Sequence, residues 1–309
     1  MKTQLAKSLL LPACALVLVL GVSARTESAS ADKHGSSAQA TGTIAFMRGD
    51  RIWLMNATGR HQRALTPHSM KARDPAFAPD GRRLAFVRWW NSKNGTLPAE
   101  VYVIDVNGSG LRRLTYTTAT EANAAWSPDG HQIAYDSTPS PAVRGANSDI
   151  WVMNGNGTGT RHLTRSAAME SGPTWSSDGT QIAYARSTGI WVMRADGGRQ
   201  RPITHPKTGS DIEPAWSPDG SRMAYVRLGE TPHQEIWLMR ADGSHSVRLT
   251  SAPRTAAQPC WSPDGGWLAA YSGRSTYARV HIFVMRPNGT GLRSLTGGSG
   301  QEAQPSWGK

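Results

Sequence analysis

The stretch Trp126-Ser127-Pro128-Asp129-Gly130, followed by Ile133-Ala134-Tyr135 and then by Ile150-Trp151-Val152-Met153, decides the fold, because the chain repeats it. Trp216 to Gly220 and Trp261 to Gly265 carry the same core; Trp175 to Gly179 has Ser177 for proline, and Phe77 to Gly81 reads FAPDG. The C-terminus holds a truncated copy, Pro305-Ser306-Trp307-Gly308. After each core comes an alternating run such as Leu84-Ala85-Phe86 or Met223-Ala224-Tyr225, and then a second apolar run such as Ile52-Trp53-Leu54-Met55 or Ile236-Trp237-Leu238-Met239. A glycine turn follows (Gly59, Gly108, Gly157, Gly197, Gly243, Gly289), and the unit closes on Leu/Ile-Thr, from Leu65-Thr66 to Leu295-Thr296.

Each unit reads as four short strands. β-Branched and aromatic residues fill the runs. In Pro-Asp-Gly, proline fixes φ, aspartate bonds the turn amides and glycine accepts positive φ. Four strands of this size leave two apolar faces, which radial stacking covers. A spacing of roughly 40–50 residues with four strands per unit signals a propeller. The fold expected is all-β: a six-bladed β-propeller of four-stranded antiparallel blades. The chain enters the pattern at Thr43 on a second strand and leaves it at Trp307 on a first strand. The C-terminal strand is therefore expected to complete the N-terminal blade and close the ring.

The repeat xPxWSPDG…IAY…IWVM…DG…LT resembles that of the TolB-type propellers, over essentially the whole chain after residue 42. The resemblance implies a fold, not a function. TolB itself carries a further α/β domain ahead of its propeller, whereas only the short tether is read here, so neither TolB's partner nor its role is expected to carry over. The matching residues are scaffold tryptophans, turn glycines and closing threonines, so no functional residue carries over.

Composition agrees with an all-β chain: glycine (32), proline (19) and tryptophan (12) are abundant and charged residues make up 18%. Residues 1–24 read as a secretory signal peptide, with Lys2 and Lys7 before the apolar stretch Leu9 to Val22 and a small-residue cleavage site at Val22-Ser23-Ala24. The rival reading is a lipobox ending at Cys14, which would anchor a lipoprotein. Residues 25–41 are Ser/Ala-rich and read as a disordered tether, and residues 42–309 as the propeller. Localisation is expected to be extracytoplasmic, with no transmembrane span. Cleavage lowers the net charge from +12 to +10 and leaves Cys260 as the single cysteine, a small space-filler without a disulfide partner. The basic balance favours acidic partners, an anionic envelope polymer or a protein, and export disfavours nucleic acid.

No hydrolase elbow, zinc motif or phosphate-cradling loop occurs. Internal alignment does yield one constellation. Five residues before each core aromatic stand Ala72, Glu121, Glu170, Asp211, Ala256 and Glu302; eleven after it stand Arg88, Ser137, Arg186, Arg227 and Ser272, with Arg48 as the equivalent in the split blade. Read as cross-strand neighbours, Glu170 faces Arg186, Asp211 faces Arg227 and Glu302 faces Arg48, with Asp74 near Arg88. Read instead as a ring at the channel mouth, the carboxylates could hold Ca²⁺; otherwise no cofactor is implied. Glu121, opposite Ser137, is the least paired and the best ligand candidate.

The two faces of the disc differ. The Pro-Asp-Gly and Asn/Asp-Gly turns share one face; the opposite face carries connections of variable length holding Trp89, Trp90, Arg144, Arg274, Tyr277 and Arg279. Variable loops on a rigid scaffold, rich in Trp, Tyr and Arg, are where recognition resides. The function expected is an exported, non-enzymatic binding propeller. The alternatives are a secreted lyase or hydrolase acting on polyanionic carbohydrate at the channel mouth, and a subunit of a larger surface complex.

Overall fold

The computed structural model describes residues 39–90, 98–139, 147–229, 233–251, 255–273, 280–297 and 300–309. These residues form 24 strands and no helix. Accordingly, no helix among them is long and apolar enough to cross a membrane.

In the first sheet β1 (Thr43–Arg48), β2 (Arg51–Asn56) and β3 (Arg63–Ala64) follow one another, and β24 (Glu302–Gly308) pairs antiparallel with the free side of β1. Next come β4 (Ala72–Phe77), β5 (Arg83–Trp89), β6 (Ala99–Asp105) and β7 (Arg112–Arg113). Then follow β8 (Thr120–Trp126), β9 (Gln132–Thr138), β10 (Asp149–Asn154) and β11 (Arg161–His162). A single parallel pair, Ala99↔Thr120, joins these two antiparallel quartets into one eight-stranded sheet. The remaining sheets are β12 (Glu170–Trp175) to β15 (Arg201–Pro202), β16 (Ser210–Trp216) to β19 (Val247–Arg248), and β20 (Thr255–Trp261) to β23 (Arg293–Ser294). Their middle strands are β13 (Gln181–Arg186), β14 (Gly189–Arg194), β17 (Arg222–Leu228), β18 (Glu235–Arg240), β21 (Leu268–Gly273) and β22 (His281–Met285). The fold is a β-propeller of four-stranded antiparallel blades.

The alternating runs explain the packing. In Ile133-Ala134-Tyr135, the isoleucine and tyrosine point to one face and the alanine to the other. Ile133 and Tyr135 pack with Ala85, Val101 and Val103 of the preceding sheet, while Ala134 packs under Trp175, Ile182 and Tyr184 of the next. Large side chains thus meet small ones across each interface. The same arrangement joins Ile44, Phe46 and Met55 to Trp267, Ile282 and Val284, the last sheet to the first. The inner strands touch from sheet to sheet as well: β4 with β8, β8 with β12, β12 with β16, β16 with β20, β20 with β24, and β24 with β4.

The small repeated residues have separate tasks. Asp129 accepts a hydrogen bond from Ser127 Oγ (2.5 Å) and from the His131 amide (3.0 Å), which holds the turn. Each closing threonine caps its own third strand: Thr115 Oγ1 accepts the Val101 amide at 2.9 Å and Thr204 Oγ1 the Ile190 amide at 2.9 Å. Turn glycines also dock on the preceding sheet. A Cβ at Gly243 (φ +92°) would stand 2.2 Å from the Ile203 carbonyl oxygen, whereas Gly108 (φ +93°) has nothing within 4 Å. Gly243→Ala should therefore lose about 3 kcal/mol or more in urea unfolding, and Gly108→Ala only the backbone penalty of about 1–2 kcal/mol. Equal losses would show that φ alone, not the close approach, fixes glycine at Gly243.

Candidate functional site

A charged layer is built at the start of the inner strands. Glu302 pairs with Arg48 at 2.7 Å, Glu170 with Arg186 at 3.5 Å and Asp211 with Arg227 at 2.7 Å, in the register the repeat implies. Each guanidinium also lies over the aromatic ring of the third strand: Trp53 at 4.7 Å, Trp191 at 4.3 Å and Trp237 at 4.5 Å. The three carboxylates are buried and the arginines partly exposed. Their carboxyl oxygens are thus turned across the strands into ion pairs rather than gathered around an axis. Among the described residues no group of three or more His, Cys, Asp or Glu side chains is placed to hold a metal ion. One expected neighbour is corrected: Asp74 does not serve Arg88. Asp74 has φ +51°, which turns it away to Gln304 Nε2 and Arg73, and Arg88 lies instead over Tyr102.

Glu121 breaks this pattern. It is 1% exposed and faces Ser137 across the strands, as the sequence indicates. Its Oε1 accepts a hydrogen bond from Thr117 Oγ1 (2.7 Å), and its Oε2 has no partner. Burial pushes its carboxyl up to about 7; the Thr117 hydrogen bond opposes that shift and the nearby Glu100 charge adds to it. Glu100, fully buried, accepts Arg113 Nη2 at 2.5 Å and the Thr117 amide at 2.9 Å on Oε1, and its Oε2 too lacks a partner. The Arg113 guanidinium then lies 4.5 Å from the Tyr116 ring and 5.7 Å from the Trp90 ring. Tyr116 is 74% exposed, the most exposed large apolar side chain described.

Trp90 and Glu121 are therefore linked through Arg113, Glu100 and Thr117. Trp89 belongs to β5 itself, paired with Ala99, and carries Lys71 Nζ 4.3 Å from its ring. Arg144, Arg274, Tyr277 and Arg279 lie outside the described residues. Tyr116 escaped the sequence reading because it sits in a blade-to-blade connection, where the repeat offers no column to compare; Arg113 does have a column, directly before the closing Leu-Thr, whose pairing with the residue before the third-strand run recurs in Arg248–Glu235 and His162–Asp149.

The inner strands also enclose a cavity of about 230 Å³. It is lined not by the residue five before each core aromatic but by the third: Asp74, Asn123, Gly172, Glu213, Gln258 and Gln304. All six have positive φ, between 50° and 62°, and the ladder register shifts there by a β-bulge. The bulge frees these side chains to reach the next strand. Gln304 Oε1 accepts the Asp74 amide (3.0 Å), Asp136 Oδ1 the Gly172 amide (3.0 Å), and Glu213 Oε2 the Gln258 amide (2.7 Å). Burial raises the carboxyls of Asp74, Asp136 (to about 6) and Glu213 (to about 7). The column was visible in the sequence as six polar or glycine residues, five of them before proline. Among the described residues, neither histidine nor arginine lines this cavity.

Sheets of four antiparallel strands whose inner strands surround a polar cavity define the class, a β-propeller. Two propeller family models each match a part of the chain. Residues 187–309 match the TolB beta propeller domain, and residues 37–148 match the Tricorn protease N-terminal beta propeller domain. Among solved structures, TolB from Acinetobacter baumannii superposes with a TM-score of 0.74 at 17% identity, covering 88% of this chain and 68% of that one. A chain assigned to TolB from Agrobacterium tumefaciens gives 0.67 at 22%, covering 86% and 92%. An oligogalacturonate lyase from Vibrio parahaemolyticus gives 0.55 at 14%, covering 82% and 74%. At these identities the likeness concerns the fold alone. No curated protein matches the chain.

Proposed function

We propose that this is an exported binding propeller: six blades, closed by β24 completing the sheet of β1, which recognises a protein or envelope polymer through the face carrying Trp89, Trp90, Arg113 and Tyr116. The six-bladed, closed reading is supported by the cycle of inner-strand contacts and by the core cluster shared between the last sheet and the first. Export rests on the character of residues 1–24. The observation that carries the binding reading is the stack of Tyr116 and Trp90 about Arg113, above two buried carboxylates that each keep an oxygen free. Aromatic and arginine side chains clustered in this way are typical interface anchors, and an exposed tyrosine at the mouth of a buried polar cluster has no evident role in stability.

The test is affinity capture from envelope and culture fractions, using the mature protein beside a Trp90→Ala/Tyr116→Ala variant. A partner retained by the first and lost by the second is expected. A partner held equally by both would move the interface elsewhere, and a polysaccharide trimmed during capture would favour the enzymatic alternative.

A further inference from the structure

We infer that Glu121 receives an arginine side chain of the partner, in the place that the chain's own arginines fill in its sister sheets; this rests on the binding reading above. The internal repeat supplies the chemistry. In three sheets a buried carboxylate at the start of the inner strand is met by an arginine from the second strand, as in the two-pronged contact of Arg227 Nε and Nη2 with Asp211 at 2.7 and 2.9 Å. In the sheet of β8 to β11 the acid is kept and the arginine is not: Ser137 stands at its register position. The aromatic platform is kept too, but His162 covers it, stacked 4.0 Å from Trp151 and tied to Asp149 at 2.8 Å. The carboxylate is thus left as the one member of the triad without its cation.

Charge points the same way. Glu100 and Glu121 are both held by Thr117, one through its amide and one through its hydroxyl, and of the two only Glu100 is paired with a cation, Arg113. Once Glu121 is ionised, two carboxylates share one guanidinium, and an unpartnered oxygen on each acid supplies the acceptors for one more positive charge, which would itself favour that ionisation. A planar guanidinium with several donors fits two such oxygens better than the single point charge of an ammonium. Sister arginines are 14–25% exposed, so a guanidinium in this position reaches solvent. Trp90 and Tyr116, flanking Arg113, offer stacking surface for the stem of the incoming side chain.

The test uses N-acetyl-arginine methylamide as probe and its neutral citrulline counterpart as control, titrated into the mature protein and followed by thermal shift and amide NMR. Saturable binding of the arginine probe alone is expected, with the Thr117 amide among the resonances that move. Glu121→Gln should weaken it about tenfold or more, the size of a charged hydrogen bond. Ser137→Arg should fill the place from within, abolishing binding while raising the melting temperature. If that variant fails to fold, Glu121→Gln alone decides. Equal response to both probes, no saturable binding, or undiminished binding by Glu121→Gln overturns the inference. A captured partner that is lost by Trp90→Ala/Tyr116→Ala yet held fully by Ser137→Arg overturns it too and leaves the binding reading intact. Specific probe binding with no dependence of any partner on Trp90 and Tyr116 does the reverse.

Discussion

A chain ending at Gly300 should fail to unfold cooperatively. β24 supplies the inner strand of the first sheet, with Ile44 opposite Trp307 and Arg48 opposite Glu302. Trp307 is 7% exposed and its Nε1 donates to the Thr41 carbonyl at 2.8 Å. Without β24, one side of β1 loses its ladder, Arg48 loses its carboxylate, and the cluster of Ile44, Phe46 and Trp267 opens to water. Truncating the tryptophan alone is worth about 3–5 kcal/mol, and the remaining losses bring the total to the whole stability of an ordinary domain, about 5–15 kcal/mol. Near-ultraviolet circular dichroism during heating measures this directly. A sharp transition within a few degrees of the full chain would disprove closure by β24.

Arg227→Leu is expected to be the most damaging single change in the charged layer, at about 3–5 kcal/mol, because it strands Asp211 as an uncompensated buried acid. Asp211 is fully buried and loses both guanidinium contacts, while Trp237 loses the cation over its ring. The double variant Asp211→Asn/Arg227→Leu should recover most of that loss, since a removed pair costs far less than a broken one. Urea unfolding of both variants separates the two cases; a double variant no more stable than the single one would mean that the arginine acts mainly through packing on Trp237.

Much of this was legible in the repeat. Six copies of one unit fix strand order and turn chemistry, and the spacing of five before and eleven after the core aromatic gave the partners of Glu170, Asp211 and Glu302 and the neutral partner of Glu121. What it did not give were the consequences of the bulge. A simple period of two places successive side chains on opposite faces, so Asp74 was expected on the side of Arg88; one residue in a left-handed conformation moves it to the cavity. The cluster at Tyr116 was hidden for another reason. It joins a connection, an outer strand and an inner strand, three segments whose proximity follows from the stacking of neighbouring sheets and from no local pattern.

Cys260 stands on the cavity wall, beside Gln258 and Pro259, and burial pushes its thiol up to about 12. At neutral pH it is held as the unreactive thiol, because the thiolate is the nucleophile. The folded protein therefore carries one slow-reacting reporter at the seam between inner strands. Being partly exposed, it would still react with added alkylating reagent in the folded state, but slowly, and any acceleration would report a change in the surroundings of the inner strands before heat or urea reveals unfolding.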